Sequence, residues 1–468
     1  MAESAQPVSA HPGYIAARNI GEILRHSGHQ AYLAGGCVRD LLLGLEPKDF
    51  DVATSATPET VLALFPEKKS FTVGAHFGVI LICEPDGTST EVATFRHDGA
   101  YSDGRRPDAV RFSADPREDV QRRDFTINGM LLDTAIYDRT NDVAQATLDF
   151  VGGSQDLAAK TIRAIGDPLQ RFTEDKLRML RAVRFAARLG FTIEHATAAA
   201  IQQLASQINV VSPERIRDEL TLILTEGGAR RGFELLDQLG LLSHIVPEIT
   251  KLHGVQQPPE YHPEGDVWIH TMLLLEKLPP NPSATLAWGA LLHDVGKPAT
   301  FRAPDPAIPN DRIRFNGHVE VGVRIAEHLL PRLRFSNEEA SQIIALIKNH
   351  MRFGDVKHMR ESTLKRFLRL PCFEEHLALH RLDCLSSHAD LSLYEFAKQT
   401  YEASPVEEFH PKLLLTGRDL IDAGYKPGPK FKKMLESAED AQLEGAVATT
   451  ADALRLIQER FGTPDRLA

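Results

Sequence analysis

From Gln30 to about Asp133 the apolar residues come in short runs broken by glycine: AYLAGG, FGVILIC, STEVATF and MLLD. From about Phe172 onward they recur at helical spacing instead, as in LRMLRAVRFAARL, IRDELTLIL, IIALIKNH and ALRLIQERF. Short runs of the first kind predict strands, and recurrence at i, i+3 and i+4 predicts amphipathic helices. No repeat of fixed period connects the two textures, which excludes a solenoid or propeller. The expected fold is therefore α+β, a mixed α/β head on a long helical body.

Composition narrows the class without naming an activity. The 468 residues suffice for about three domains of ordinary size. Apolar residues make up 43% and charged residues 25%, the balance of a soluble globular protein. No uncharged apolar run approaches the ~18 residues a membrane helix needs, so no membrane partner is expected. The first residues, MAESAQPVSAHPGY, carry neither a basic nor an apolar segment of a secretory signal. The four cysteines form no C-x-x-C pair, which argues against a disulfide scaffold or a zinc ribbon and suits a reducing, cytoplasmic setting. A net charge of −11 argues against nucleic acid as a partner, yet Lys160–Gly190 holds eight Lys/Arg against three Asp/Glu. A basic strip on an acidic body favours one docking face.

In the head, YLAGGCVRDLLLG (Tyr32–Gly44) sets two glycines between an apolar strand and a helix start. Such glycines let backbone N–H groups approach a phosphate. Five residues beyond Gly44 comes Asp49-Phe50-Asp51, and strand alternation puts both aspartates on one face with Phe50 on the other. Paired carboxylates suit Mg²⁺, a hard cation that takes oxygen ligands and bridges phosphates. A lone D-x-D is usually a solvated loop; preceded by GG-x-V-R-D it reads as a metal pair. Glu91, in STEVATF, is the available third carboxylate, or else a strand-edge surface residue.

GGCVRDLLLG followed by DFD resembles the signature of the class II tRNA nucleotidyltransferase and bacterial poly(A) polymerase superfamily, a branch of the polymerase-β-like nucleotidyltransferases. Four further motifs continue the resemblance in order over about 200 residues: RRDFTINGM (Arg122–Met130), VGGSQDLAAKTIRAIGDP, RFTEDKLRMLRAVRFAARLGF (Arg171–Phe191) and SPERIRDEL (Ser212–Leu220). The resemblance implies Mg²⁺ held by Asp49 and Asp51, with Gly36, Arg39 and Arg123 as nucleotide contacts. Physically, Arg123 offers a bidentate fork to triphosphate oxygens, and Asp124 and Asn128 offer hydrogen bonds to a ribose hydroxyl. In EDKLRMLRAVR, Asp175, Arg178, Arg181 and Arg184 step by three, so on one helix they are neighbours. A carboxylate with an arginine fork imitates a Watson–Crick edge. The family uses this helix to choose CTP and then ATP without a template, with Glu174 as its brace. FTVGAHFGVILI after the carboxylate pair is more like the tRNA enzymes than the poly(A) polymerases. RHDGAYSDGRRPDAVRF is similar to the flexible loop of enzymes that add the terminal A, which argues against a CC-only enzyme.

In the helical half, GALLHDVGKP (Gly289–Pro298) resembles the HD phosphohydrolase superfamily. The ligand set this implies is His270, His293, Asp294, His318, His350 and Asp383, with His380 and His388 competing locally with Asp383. Imidazole with carboxylate suits Mn²⁺, Ni²⁺ or Co²⁺. The proline-rich breaks at Gln257–Pro263 and Pro279–Pro282 flank the entrance to this unit. The expected organisation is a nucleotidyltransferase head at 1–150, a helical neck and body at 151–262, an HD domain at 263–403 and a helical tail at 404–468.

Two functions from different classes then stand in one chain. One is addition of CCA to tRNA 3′ ends from CTP and ATP, with an A-adding enzyme or a poly(A) polymerase as the alternative. The other is a metal-dependent phosphatase or phosphodiesterase acting on a terminal phosphate. A non-enzymatic RNA-binding scaffold is disfavoured by the intact DFD and EDKLR. The basic neck and body, and the lysine cluster Lys426, Lys430, Lys432 and Lys433, are the candidate tRNA-docking surfaces. Oligomeric state is left open by the sequence.

Overall fold

The computed structural model describes residues 8–72, 78–99, 109–260, 262–403, 405, 409 and 411–463. The chain forms two compact units, Met1–Pro247 and Glu248–Ala468. Among the described residues no helix is long and apolar enough to cross a membrane.

The first unit is built on a mixed sheet whose strands, in chain order, are β1 (Ala31–Ala34), β2 (Asp51–Thr54), β3 (Lys69–Thr72), β4 (Val79–Cys83) and β5 (Ser89–Thr94). They continue with β6 (Arg96–Asp98), β7 (Val110–Phe112), β8 (Met130–Leu132) and β9 (Thr147–Asp149). The seven-stranded sheet runs β3-β4-β5-β2-β1-β8-β9, while β6 and β7 pair separately. All neighbours are antiparallel except β2 and β5, which run parallel with Val52 opposite Val92. The central strands are apolar on both faces: Leu33, Val52, Ala53, Leu131 and Leu132 are buried. That double burial comes partly from α1 (Pro12–His26), whose Tyr14 packs edge-on against Phe50. Phe50 thus points into the core, as the alternation of DFD requires.

Of the loop resembling that of the A-adding enzymes, Arg96–Asp98 and Val110–Phe112 pair as an antiparallel stem, and 100–108 lie outside the described residues. Residues 73–77 of FTVGAHFGVILI also lie outside them. Thr161–Ile162 and Thr192–Ile193 pair as a short parallel ladder, and most of the remaining described residues of the unit are helical. They include α2 (Leu177–Leu189), ended by Gly190 in the left-handed region, and α3 (Pro213–Thr225), with proline in its first turn.

Among its described residues the second unit has helices and no strand, only the isolated bridges Gln256–Asp266 and Arg302–Arg314. Its centre is formed by α4 (Val267–Glu276), α5 (Ala284–Leu292), α6 (His318–Arg332), α7 (Asn337–Asn349) and α8 (Phe373–Ser386). α4 and α5 are apolar nearly all round, the pattern of helices buried on every side. Beyond them the tail 411–463 closes its own small core around Leu420, Met434, Ala438, Ala453 and Ile457. The cluster Lys426, Lys430, Lys432 and Lys433 is exposed there, on and just before the helix Lys430–Leu443.

Candidate functional site

β1 ends at Ala34 and the chain turns through Gly35, at φ +81°, into the short helix Gly36–Leu42. A Cβ on Gly35 would stand 3.2 Å from Arg123 Nη1, so the glycine makes room for that guanidinium. Asp49 lies just before β2 and Asp51 is its first residue. Both open onto a cavity of about 560 Å³, and so do Gly36, Arg39, Arg123, Asp175, Arg178, Arg181 and Arg184, whereas Glu174 does not line it. Nine cationic and six anionic side chains line this cavity, a cationic excess on an acidic protein.

Asp51 is raised to about 6, first by burial and then by the negative charges of Glu91 and Asp49, with Arg123 opposing. Glu91 reaches Asp51 through the sheet, because the parallel register of β2 with β5 sets residue 51 beside residue 91. Glu91 itself is exposed and is not part of the cavity wall. Carboxylates crowded to this degree repel one another unless a cation or proton lies between them, so Asp49 and Asp51 fit a divalent ion.

The arginines are held in place by counter-charges from elsewhere in the fold. Arg39 is 3% exposed; its Nη1 donates to Asn128 Oδ1 at 2.7 Å and its Nε to Asp40 at 2.7 Å. Arg123 lies 3.0 Å from the buried Asp119, which also holds Arg122. Arg181 donates to Asp124 at 2.8 Å, and Arg184 to Glu219 at 2.7 Å and Glu226 at 3.2 Å. Burial would raise the Asp124 carboxyl, but Arg181 and Asn128 pull it down to about 2. Arg39, Arg181 and Arg184 also stand over the ring of Phe185, at 5.2, 5.3 and 4.5 Å from its centre.

One expectation is corrected here. Asp175 is not on the helix that carries the arginines: it is an extended residue between the helix Pro168–Glu174 and α2, at φ −146°. Its Oδ1 accepts from the Leu177 backbone N–H at 3.1 Å and its Oδ2 from Arg215 at 2.7 Å. A carboxylate that accepts a first-turn N–H stops the preceding helix and starts the next one, which breaks the step of three. Arg178 is on α2 and is braced by Glu174 at 2.7 Å. The residues the sequence did not single out are Asp119, Arg215, Glu219, Glu226 and Phe185. Of these only Asp119 left a local signal, lying three and four residues before Arg122 and Arg123.

In the second unit His270, His293, Asp294, His318, His350 and Asp383 come together although they span more than a hundred residues. Asp294 lies 3.2 Å from His293 Nε2, 3.6 Å from His318 Nε2 and 3.7 Å from His350 Nε2. His270 Nε2 lies 3.2 Å from Asp383. Of the competitors of Asp383, His380 is turned away, stacking on Phe353 at 4.3 Å with Cys384 Sγ 3.6 Å away, whereas His388 lines the same cavity as Asp383 without an ion-pair contact to the cluster. Donor atoms of His270, His293 and Asp294, and likewise of Asp294, His318 and His350, lie within 4.8 Å of one another, close enough to hold an ion. The buried Nε2 atoms of His270 and His293 make no well-formed hydrogen bond, the condition of ligand atoms aimed at a cation. Burial pushes His350 down to about 4, which keeps it the neutral imidazole that ligation needs. Burial opposes charge on His270 too, but the facing carboxylates of Asp383 and Glu264 raise it to about 9, so an entering cation would have to displace its proton. Lys297 donates to Asp294 at 2.6 Å and to Gln257 at 2.7 Å, and the cluster opens onto a cavity of about 780 Å³ that Arg312 and Arg314 also line.

Against known families, residues 31–163 match the poly A polymerase head domain. Residues 190–252 match the probable RNA and SrmB-binding site of polymerase A, and 265–390 the HD domain. The chain is 32% identical over 438 residues to a CCA-adding enzyme of Limosilactobacillus fermentum, covering 94% of each. This chain belongs to the CCA-adding enzyme family. It is a nucleotidyltransferase with a poly A polymerase head and an HD domain. A second member of the family, from Oceanobacillus iheyensis, is 45% identical over 208 residues, 44% of this chain and 49% of that one. Among solved structures, the CCA-adding enzyme of Bacillus stearothermophilus in complex with CTP superposes with a TM-score of 0.71 at 25% identity, over 96% of this chain and 98% of that one. The Thermotoga maritima CCA-adding enzyme complexed with tRNA shares the fold, with a TM-score of 0.56 at 18% identity over 96% of both chains.

Proposed function

We propose that the head adds C, C and A in turn to the 3′ end of tRNA, using CTP and ATP. The observation that carries this reading is the meeting of Asp49, Asp51 and the arginine set in one cationic cavity of about 560 Å³. The 3′ hydroxyl of the RNA attacks the α-phosphorus, the bond to the β-phosphate breaks, and pyrophosphate leaves. Mg²⁺ held by Asp49 and Asp51 would supply positive charge at the attacking and leaving oxygens. Arg123, kept in aim by Asp119, faces the triphosphate, and Asn128, fixed by Arg39, faces the sugar. Asp175 and Arg178 present an acceptor and a donor fork to the base edge, and Arg215 and Glu174 hold those two side chains still. In this reading 1–150 is the catalytic head, 151–262 selects the nucleotide and docks tRNA, 263–403 is the HD domain and 404–468 a tail.

A second activity is favoured by the convergence of four imidazoles and two carboxylates beside a cavity lined by Lys297, Arg312 and Arg314. The HD unit is read as a phosphohydrolase that clears a 3′ or 2′,3′-cyclic phosphate, using Mn²⁺, Ni²⁺ or Co²⁺.

The test offers tRNA transcripts ending at the discriminator base, at C and at CC to the purified protein with Mg²⁺. Each receives CTP, ATP or both, and products are read at single-nucleotide resolution. Growth of the bare transcript by CCA and no further is the expected result. A single A added only to the CC-ended transcript would make the protein an A-adding enzyme. Long A tails would make it a poly(A) polymerase, and no extension at all would refute the head's assignment.

A further inference from the structure

The imidazoles of the HD cluster differ in what holds their second nitrogen. Nδ1 of His293, His318 and His350 each contacts a backbone carbonyl three residues earlier, Ala290 at 2.8 Å, Phe315 at 3.0 Å and Ile347 at 2.7 Å. These contacts leave Nε2 free to face the cluster. His270 Nδ1 makes no such contact. The residue lies within the first turn of α4, its own N–H bonds Asp266 O at 3.0 Å, and Val267 O accepts the Thr271 hydroxyl at 2.8 Å. Its Nδ1 meets Glu264 Oε1 at 2.7 Å instead, from the segment just ahead of the helix. The same oxygen meets Nδ1 of His262 at 2.9 Å, and His262 lies on the wall of the 780 Å³ cavity. The Glu264 side chain is 8% exposed, and its other oxygen, Oε2, is buried without a hydrogen bond. Burying half a carboxylate in this way is unfavourable. A glutamine would supply a neutral acceptor at lower cost, so packing or a plain hydrogen bond does not explain the charge.

We propose that Glu264 is a positioning residue for the HD metal: it fixes His270 with the proton on Nδ1 and Nε2 toward Asp294 and Asp383, and its charge makes that imidazole a stronger ligand. The inference rests on reading the cluster as a divalent-metal site. An anionic acceptor on the far nitrogen of a ligating histidine fixes its tautomer and raises its basicity, and loss of such partners typically weakens metal binding by about 10–100-fold. Donor atoms of His262, Glu264 and His270 also lie within 4.8 Å of one another; in this proposal Glu264 is not itself a ligand and acts through His270.

The experiment titrates the full-length chain with Co²⁺ in excess Mg²⁺, following the visible absorption that nitrogen-ligated Co²⁺ gives. Wild type, E264Q, E264D, H262N and H293A are compared, and the melting temperature of each is taken with and without Co²⁺. E264Q is expected to bind Co²⁺ about 10–100-fold more weakly than wild type, with an altered spectrum and a smaller metal-induced rise in melting temperature. E264D, which keeps the charge but draws it back by one methylene, is expected to fall between the two. H262N is expected to bind as wild type does. Equal Co²⁺ affinity of E264Q and wild type overturns the proposal. So does a lower melting temperature of metal-free E264Q with an unchanged metal-induced rise, which marks a structural role. Should E264Q not fold, E264D binding as tightly as wild type overturns it. An absorption that is absent in wild type, or undiminished in H293A, overturns the metal-site reading itself.

Discussion

Asp51→Asn tests whether the head stores unfavourable charge in order to receive a cation. Asp51 sits beside Asp49 and in register with Glu91, and it is raised from 3.8 to about 6 by burial and by those two charges. At about 1.36 kcal/mol per pH unit, that rise corresponds to up to about 3 kcal/mol of lost stability in the metal-free protein. The sign follows from linkage. A carboxylate raised in the folded state binds protons there more tightly than in the unfolded chain. Its penalty is absent below the unfolded value of 3.8, grows between 3.8 and about 6, and is full above that. The substituted asparagine carries no charge, so the variant is expected to be more stable than wild type in EDTA at pH 7.5. About half of the gain should remain at pH 5. The unit Met1–Pro247 is of a size at which 1 kcal/mol moves the melting temperature by about 2–4 °C, so the expected rise is about 6–12 °C at most. The assay is calorimetry of wild type and variant at the two pH values, in EDTA and in Mg²⁺. Saturating Mg²⁺ should shrink or reverse the difference, since only wild type keeps the full carboxylate pair. A variant no more stable than wild type in EDTA at pH 7.5, or a gain that grows as the pH falls, refutes the reasoning.

Asp49→Ala and Asp51→Ala are expected to abolish nucleotide incorporation and to leave any phosphatase activity of the HD unit intact. Loss of both activities with an unchanged circular dichroism spectrum would break that division of labour. Glu219→Gln removes the closest charged partner of the buried Arg184 and weakens the hold on Arg181; with Glu226 and Asp124 still pairing those two guanidiniums it should cost about 1.5–3 kcal/mol, read as a shift in the denaturant midpoint. Gly296→Ala would bring a Cβ to 2.0 Å from His318 O, so it should displace α6 and cut Co²⁺ affinity in the HD unit while nucleotide addition continues. Binding of tRNA should weaken steeply as salt rises from low to physiological; a filter-binding series that stays flat would remove backbone phosphates as the main contact.

Much of the architecture was legible because helix and strand periods are local. The switch from glycine-broken runs to helical spacing marks the sheet and the helical body, and Phe50 between its aspartates marks the buried face of β2. The candidate site residues of the head were legible as short motifs, since a metal or a triphosphate needs particular donor types close together, whereas the HD candidates, apart from His293-Asp294, are single residues scattered from 270 to 383. Asp175 was misplaced on the arginine helix because a step of three looks the same whether or not an N-terminal cap interrupts it.

The amino-acid order by itself determined which donors exist and, Asp175 apart, which element carries each of the head's candidates. Only the tertiary structure decided which of them are held, and by what. Asn128 meets Arg39 across 89 residues, Glu219 meets Arg184 across 35 and Arg215 meets Asp175 across 40. Asp383 was separated from His380 by which face of α8 met His270, while His388 lies beyond the end of that helix. A buried guanidinium or imidazole needs a counter-charge, but any carboxylate brought near by the fold can supply it, so no spacing along the chain records the pairing.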